Sequence, residues 1–526
     1  MSACNRIDRC PSWPSLMRKG HEDLRKVLNS ERVASRIIPV ARGLSYSYAA
    51  MDVDNETLDL LADSANRLDL IGQYRALASG ALMNIGENRM VLHHLLRGEP
   101  AGHVVRDGRN FRDFYEGERK RFSAFAERVR NGEILGSSGK RFERVVQIGI
   151  GGSDLGPRAL YLALEQWARE RGLLGLRASF ISNVDPDDAN GVLATIDPES
   201  TLFILVSKSG TTQETLANEA LVKARLTSVK GLDPAGHLIA VTSETSPLAR
   251  NPGYLDSFYI DDFIGGRYSA TSAVGGVLLS LCIGPDAFRA ILDGAAEADM
   301  RALEPAPRNN ASLMDALIGI FQRNVLGRPS TGILPYSQAL SRFPAHLQQL
   351  DMESNGKRVD RDGEDVPLST GPVLFGEPGT NGQHSFYQLL HQGTDPIPLQ
   401  FIGFKKNQTS FDPEFEGSSS RRKLNANLAA QIVAFALGKD DTAPNKRFPG
   451  GRPNSLIVGE ELDPYALGAL LAHYENKVMF QGFCWNINSF DQEGVQLGKV
   501  LTRKVLEDGG PVDPVLKAYA TLLGAV

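Results

Sequence analysis

Four short apolar runs, Val145 to Ile150, Ala178 to Ser182, Leu202 to Val206 and Leu238 to Thr242, stop at or beside Gly, Ser or Thr, and an amphipathic stretch follows each. Apolar runs of strand length alternating with helical periodicity specify a mainly parallel sheet covered by helices. The pattern resumes after Gly284, with strand candidates at Gly332 to Leu334, Val373 to Phe375, Leu399 to Gly403 and Leu456 to Val458. Two α/β units in tandem follow from this. Within the second, Leu424, Leu428, Ile432 and Phe435 have the spacing of a core-facing helical stripe. Ahead of the first, Thr57 to Ala65 and Arg75 to Leu96 are spaced as helices, so the chain up to about Pro100 reads as a helical region.

The 526 residues supply ample core for several domain-sized units, and the formal net charge of −5 gives no general attraction for nucleic acid or anionic lipid. A negatively charged ligand therefore needs a local site. Cys4, Cys10, Cys282 and Cys484 are scattered without C-x-x-C spacing. They read as reduced thiols, neither a disulfide framework nor a zinc site. Arg6, Asp8, Arg9, Arg18 and Lys19 interrupt the N-terminus, which excludes a signal-peptide core there and leads us to expect a cytoplasmic protein. The uncharged stretch Tyr268 to Pro285 is broken by Ser and Gly and reads as a buried helix, not a membrane span.

One segment is suited to an anion. Leu202 to Val206 runs directly into Ser207-Lys208-Ser209-Gly210-Thr211-Thr212-Gln213-Glu214. Thr211 and Glu214 have capping-box spacing, which predicts a helix start there, with its free N–H groups and the hydroxyls of Ser207, Ser209 and Thr212 converging on one point. A bare T-x-x-E is ordinarily only a cap; four hydroxyls and a lysine behind a buried strand point to phosphate. A second Gly-rich turn, Ile148 to Pro157, contains Gly152 and Ser153 and permits close backbone approach to a ligand. It fails the dinucleotide fingerprint, because Asp154 stands where the third glycine belongs, and Gly139-Lys140-Arg141 fails as a P-loop. No nucleotide or other cofactor is expected.

Further candidates are scattered along the chain. Glu353, within Gln349 to Lys357, supplies a carboxylate beside small residues and is suited to act as a general base. His384 lies in a loop that opens a helix, with His391 seven residues on, near the same face. The H-E-x-x-H spacing is absent, so acid/base work by His384 is expected and a metal is not. Gln492 and Lys499 are also seven apart, and one helix would point both the same way. Arg267, after Gly265-Gly266, is suited to stabilise an oxyanion.

In this order and at these separations, Ile148 to Pro157, Val206 to Thr215, Gly265 to Gly275, Gln349 to Lys357, Gly376 to Gly393 and Phe490 to Lys499 resemble the glucose-6-phosphate isomerase family. The resemblance covers about two-thirds of the chain and implies two tandem sugar-isomerase domains with helical extensions. The corresponding division is a helical N-terminal region 1–104, sugar-isomerase domains 105–286 and 287–505, and a tail 506–526. It also implies a homodimer with His384 contributed across the interface, no metal and no cofactor. Carried over by motif, the catalytic residues are Glu353, His384, Lys499 and Arg267. Gly152, Ser153, Ser207, Lys208, Ser209, Thr212 and Gln492 line the substrate site. Two departures are visible, Gln496 where the motif usually has Glu and Gly210 where animal members carry a bulky residue.

The implied reaction is the aldose–ketose interconversion of D-glucose 6-phosphate and D-fructose 6-phosphate in glycolysis and gluconeogenesis. It opens the ring and moves a proton between C2 and C1 through a cis-enediolate. Two alternatives stand beside it. An enzyme that also accepts mannose 6-phosphate would share every motif. A non-catalytic sugar-phosphate sensor would need only the hydroxyl loop, and no helix-turn-helix or basic extension for nucleic-acid output is present.

Overall fold

The computed structural model describes residues 4–507 and 513–526. In chain order its principal elements begin with a hairpin, β1 (Ile37–Ala41) and β2 (Leu44–Ser47), then α1 (Asn55–Arg67) and α2 (Phe111–Asn131). The first unit contains β3 (Arg144–Ile148), α3 (Leu155–Glu170), β4 (Arg177–Ile181), β5 (Thr201–Val206), α4 (Gln213–Thr227), β6 (Leu238–Thr242), β7 (Ser257–Tyr259) and α5 (Ala273–Ile283). There follow α6 (Pro285–Arg301), α7 (Ala311–Ile320), β8 (Ser330–Pro335), α8 (Phe343–Gln348), β9 (Val373–Phe375), β10 (Leu399–Phe404), α9 (Ser420–Leu437), β11 (Asn454–Gly459) and α10 (Pro464–Trp485). The chain closes with α11 (Gln496–Leu506) and α12 (Pro514–Leu522).

The first sheet is parallel throughout, in the order β4-β3-β5-β6-β7. Its strands are apolar on both faces, and alternation sends Leu202, Ile204 and Val206 to the core under α3 and α5. Phe203 and Leu205 face the other way, against Val222 and Leu226 of α4. The second sheet runs β1-β2-β11-β10-β8-β9, parallel from β11 to β9. The α9 stripe closes one face of it: Leu428 and Phe435 are buried with Leu334 and Phe401, and Leu424 and Ile432 pack beside them. Tyr268 to Pro285 contains α5, whose every residue is buried, and among the described residues no helix is long and apolar enough to cross a membrane.

Three features depart from the sequence expectations. The N-terminal region contains, besides its helices, the β1–β2 hairpin, which adds antiparallel to β11 and extends the second sheet. Pro39 is tolerated because β1 is the edge strand and its missing N–H faces no neighbour. The helix expected over Arg75 to Leu96 ends at Ala78, where Gly80 takes a positive φ and Asn84 bridges to Arg89. Cys4 and Cys10 are joined in a disulfide, not left as free thiols, because the turn at Ile7–Arg9 brings their Cα atoms to 5.5 Å; Cys282 and Cys484 are free and buried. The short β7 carries too few residues to have stood out as a strand.

The N-terminal region is fastened to the core by charge. Arg97 is fully buried, 2.8 Å from Asp299 of α6 and 2.5 Å from Glu475 of α10. Removing one partner of such a cluster leaves the others as uncompensated charges in low dielectric. Arg97→Met should therefore destabilise the protein by about 3 to 5 kcal/mol, read as a lowered midpoint in thermal or urea unfolding; an unchanged midpoint would show that the cluster holds nothing.

Candidate active site

The chain order of the first sheet reverses between β3 and β5, and the crevice at the carboxyl ends of such neighbouring strands is where open α/β sheets bind ligands. Both glycine- and hydroxyl-rich turns open there. After β5, Ser207 donates to Thr212 Oγ1 at 3.1 Å and accepts from Gly210 N–H, while Ser209 Oγ accepts from the N–H and hydroxyl of Thr211. Helix α4 begins one residue later than its T-x-x-E suggested. Thr212 is the N-cap, its side chain makes no capping bond, and the expected capping box does not form. The first-turn N–H groups and the positive end of the helix dipole are thus left for an anion. Lys208 donates to Ile264 O at 3.2 Å, and burial pulls its ammonium below the ordinary lysine range against the opposing pull of Asp262.

After β3, a single turn at Gly151–Ser153 lies against another at Gly266–Tyr268. Gly152 makes that approach possible: a Cβ there would sit 2.2 Å from the Gly266 carbonyl carbon and oxygen. The second turn aims Arg267, which is 1% exposed, into the seam between the two α/β units. Its Nε donates to Ser354 Oγ and its Nη2 to the carbonyls of Ser489 and Asp491, each at 2.7 Å. Nη1 lies 3.6 Å from Glu353 Oε2.

Glu353 ends one π-helical turn, Gln349–Glu353, that continues α8. Its Oε2 is buried with no hydrogen-bond partner, although the residue as a whole is partly open. An unpartnered carboxylate oxygen next to a fixed guanidinium, on a side chain that is partly open, is prepared to exchange a proton with a bound molecule. Lys357, quoted in the Glu353 motif but given no role there, completes the pocket wall. It donates to the carbonyls of Glu353 and Asp491 and pairs with Asp491 Oδ1 at 2.8 Å. Asp491, next to Gln492 in sequence, was likewise missed; its signal was only its place in the Phe490 to Lys499 motif.

Glu353, Arg267 and Gly152 are therefore brought together, with Ser153 in the same turn and Ser207, Lys208, Ser209 and Thr212 at the neighbouring strand end. The remaining three are not. His384 ends a short turn, Asn381–His384, and is exposed. His391 does not share its face: it stacks on Phe435 at 3.7 Å and bonds to Gln431, a packing role in α9's layer. Lys499 is exposed on α11, whereas Gln492 precedes that helix, so the two do not lie on one helical face. No hydrogen bond or ion pair joins either to Glu353 or Arg267 among the described residues. Nor do three or more His, Cys, Asp or Glu side chains gather there as a metal site.

The phosphoglucose isomerase family model matches residues 47–513. The chain belongs to the phosphoglucose isomerase family. It is 58% identical over 527 residues to a glucose-6-phosphate isomerase of Treponema denticola, covering 98% of this chain and 99% of that one. To the glucose-6-phosphate isomerase of Borreliella burgdorferi it is 45% identical, with 95% of each covered. The crystal structure of a glucose-6-phosphate isomerase from Chlamydia trachomatis superposes with a TM-score of 0.91 at 42% identity over 99% of both chains. Of the two departures from the phosphoglucose isomerase motifs, Gly210 has a physical reason. Its φ is +68° and a Cβ would fall 2.1 Å from Ser246 Oγ, so this loop conformation admits no side chain. Gln496 opens α11 at an exposed position.

Gly152→Ala should drive a methyl into the Gly266 carbonyl and push Arg267 away from Glu353. The expected outcome is a loss of turnover of about 10²-fold, the cost typical of a misplacement of about 1 Å, with the far-ultraviolet spectrum retained. Wild-type turnover in that variant would mean that the two turns are free to separate.

Proposed function

We propose that this protein interconverts D-glucose 6-phosphate and D-fructose 6-phosphate, as an intramolecular aldose–ketose isomerase of glycolysis and gluconeogenesis in the cytoplasm. The observation that carries the reading is the buried, unpartnered Glu353 oxygen 3.6 Å from a buried guanidinium, in a chain that also carries an uncapped, hydroxyl-lined helix start. A non-catalytic sensor would need the helix start alone and gives no reason for that pair.

The phosphate binds the loop of Ser207, Lys208, Ser209 and Thr212, and the sugar extends past Gly152 and Ser153 toward the seam. Binding energy taken up at the phosphate, away from the reacting carbons, holds C1 and C2 against Glu353. Its carboxylate removes the C2 proton and returns it to C1. Arg267, fixed by three hydrogen bonds before substrate arrives, faces the enediolate oxygen as its charge develops. Ring opening, which moves a proton from a hydroxyl to the ring oxygen, falls to His384 and Lys499.

His384 and α11 stand clear of the Glu353 pocket in one chain, and both lie among exposed apolar side chains: Leu389 near the histidine, Leu497 and Val500 on α11, Tyr519 and Leu522 on α12. A homodimer buries these surfaces and brings His384 of one chain to the Glu353 pocket of the other. Each dimer then holds two composite sites.

Glu353→Gln keeps shape and hydrogen-bonding reach but accepts no proton. In a coupled assay on fructose 6-phosphate with EDTA present, its kcat should fall by about 10² to 10⁴-fold while KM moves far less. Solvent deuterium exchange at C2 of glucose 6-phosphate should vanish in parallel, and near-normal turnover or exchange would place the base elsewhere. Mixing inactive Glu353→Gln and His384→Ala proteins should regenerate activity in exchanged dimers; none, with subunit exchange verified, would sink the shared site.

A further inference from the structure

Behind Glu353, on the side of its turn that carries Asp351, a cavity of about 40 Å³ separates the turn from α10, α7 and the second sheet. Six buried polar atoms of its lining residues have no protein partner: Asp351 Oδ1, Gln400 Oε1, Gln481 Oε1, Arg323 Nε, and the hydroxyls of Tyr46 and Tyr474. Buried polar groups left unsatisfied cost free energy, and a cavity this polar and of this size holds roughly two to three waters. Both π-helical turns of the described chain border it. Leu350 and Asp351 come from Gln349–Glu353, and Gln322 and Arg323 from Phe321–Val325. A π-turn inserts one residue into a helix and has to be held by its surroundings.

The turn presents its charge in two directions. Glu353 faces Arg267, whereas Asp351 is 4% exposed and faces inward, toward Lys477. The direct partner of Lys477 is a different carboxylate, Asp315, at 3.0 Å, which also accepts from His473 and Gln400. Burial acts upward on Asp315, but Lys477 and His473 outweigh it and hold Asp315 well below the usual carboxylate range. For Asp351 burial prevails over the pull of Lys477, and its carboxyl is pushed up to about 6. Asp351 Oδ1 has no protein partner, and water in the cavity, shared with the amide and phenol oxygens around it, would satisfy it without moving the backbone.

Resting on the assignment of Glu353 as the base, we propose that Asp351 is a positioning residue for it. Through water held in the cavity, the Asp351 carboxyl is tied to α10 and locks the π-turn at whose end Glu353 sits. The carboxylate on one side of the turn does the proton transfer; the one on the other side keeps the turn in register. Asn355 acts in the same direction, donating to Val478 O of α10 at 3.1 Å and accepting from Ser489 Oγ at 2.8 Å.

The test compares Asp351→Asn, which keeps the volume and loses the charge, with Glu353→Gln and wild type. With fructose 6-phosphate the expected result for Asp351→Asn is a kcat lowered about 10- to 100-fold, as a small misplacement of the base produces, with KM within about threefold. Should that variant fold poorly, Tyr474→Phe removes one cavity hydroxyl and no charge; it should lower kcat about three- to tenfold with the same split. A high-resolution crystal structure of the wild type should show ordered water within hydrogen-bond distance of Asp351 Oδ1. A dry cavity, a kcat within threefold of wild type for both variants, or kcat and KM changing together would overturn the proposal. If Glu353→Gln is inactive while Asp351→Asn is normal, the base assignment stands and only the positioning role fails. An active Glu353→Gln removes the assignment itself.

Discussion

The candidate site depends on keeping one guanidinium out of water at the seam between two α/β units. Burying Arg267 costs several kcal/mol in desolvation. Its three 2.7 Å hydrogen bonds, at about 1.5 to 3 kcal/mol each for a charged group, recover an amount of the same order. Because those acceptors come from Ser354, Ser489 and Asp491, the charge is stable only when the second unit is folded against the first. The same bonds place the remaining N–H group within reach of Glu353. Domain docking and the readiness of the base are therefore one event.

This arrangement separates binding from chemistry in space. The anion side is built from backbone and hydroxyls at the end of β5, where an uncapped helix start favours phosphate without a fixed, fully exposed cation. On the proposed reading, the proton-transfer side pairs the partly open Glu353 with a buried, pre-oriented guanidinium, so little reorganisation is needed as the enediolate forms. The cavity behind Glu353 extends the same logic one layer further, since a π-turn is accurate only if what lies behind it is fixed.

Much of the architecture was legible along the chain because parallel strands buried on both faces must be continuously apolar. Leu238 to Thr242 is the strand found, and Leu202 to Val206 lies within another, both buried throughout. What escaped was structure that no pattern of residue types along the chain marks. The β1–β2 hairpin exists because β11 offers it an edge, and the Cys4–Cys10 disulfide because a local turn closes on itself. Thr211 and Glu214 had the spacing of a capping box, yet Ser207 engages Thr212 first and the cap moves by one residue.

For the candidate site the division is similar. Residue types and their order pointed to a hydroxyl-rich loop suited to phosphate, a carboxylate and an arginine, because each chemistry restricts which side chains serve it, and order along the chain is itself information. Only the tertiary structure decided which of them meet. It joined Glu353 to Arg267, added Lys357 and Asp491, and left His384 and Lys499 on surfaces of their own. Helical spacing of seven, the sole local evidence for pairing Gln492 with Lys499 or His384 with His391, failed in both cases because neither pair lies within one helix. A sequence determines what each residue is able to do; which residues act together is set by contacts among segments far apart in the chain, whose energies no local pattern contains.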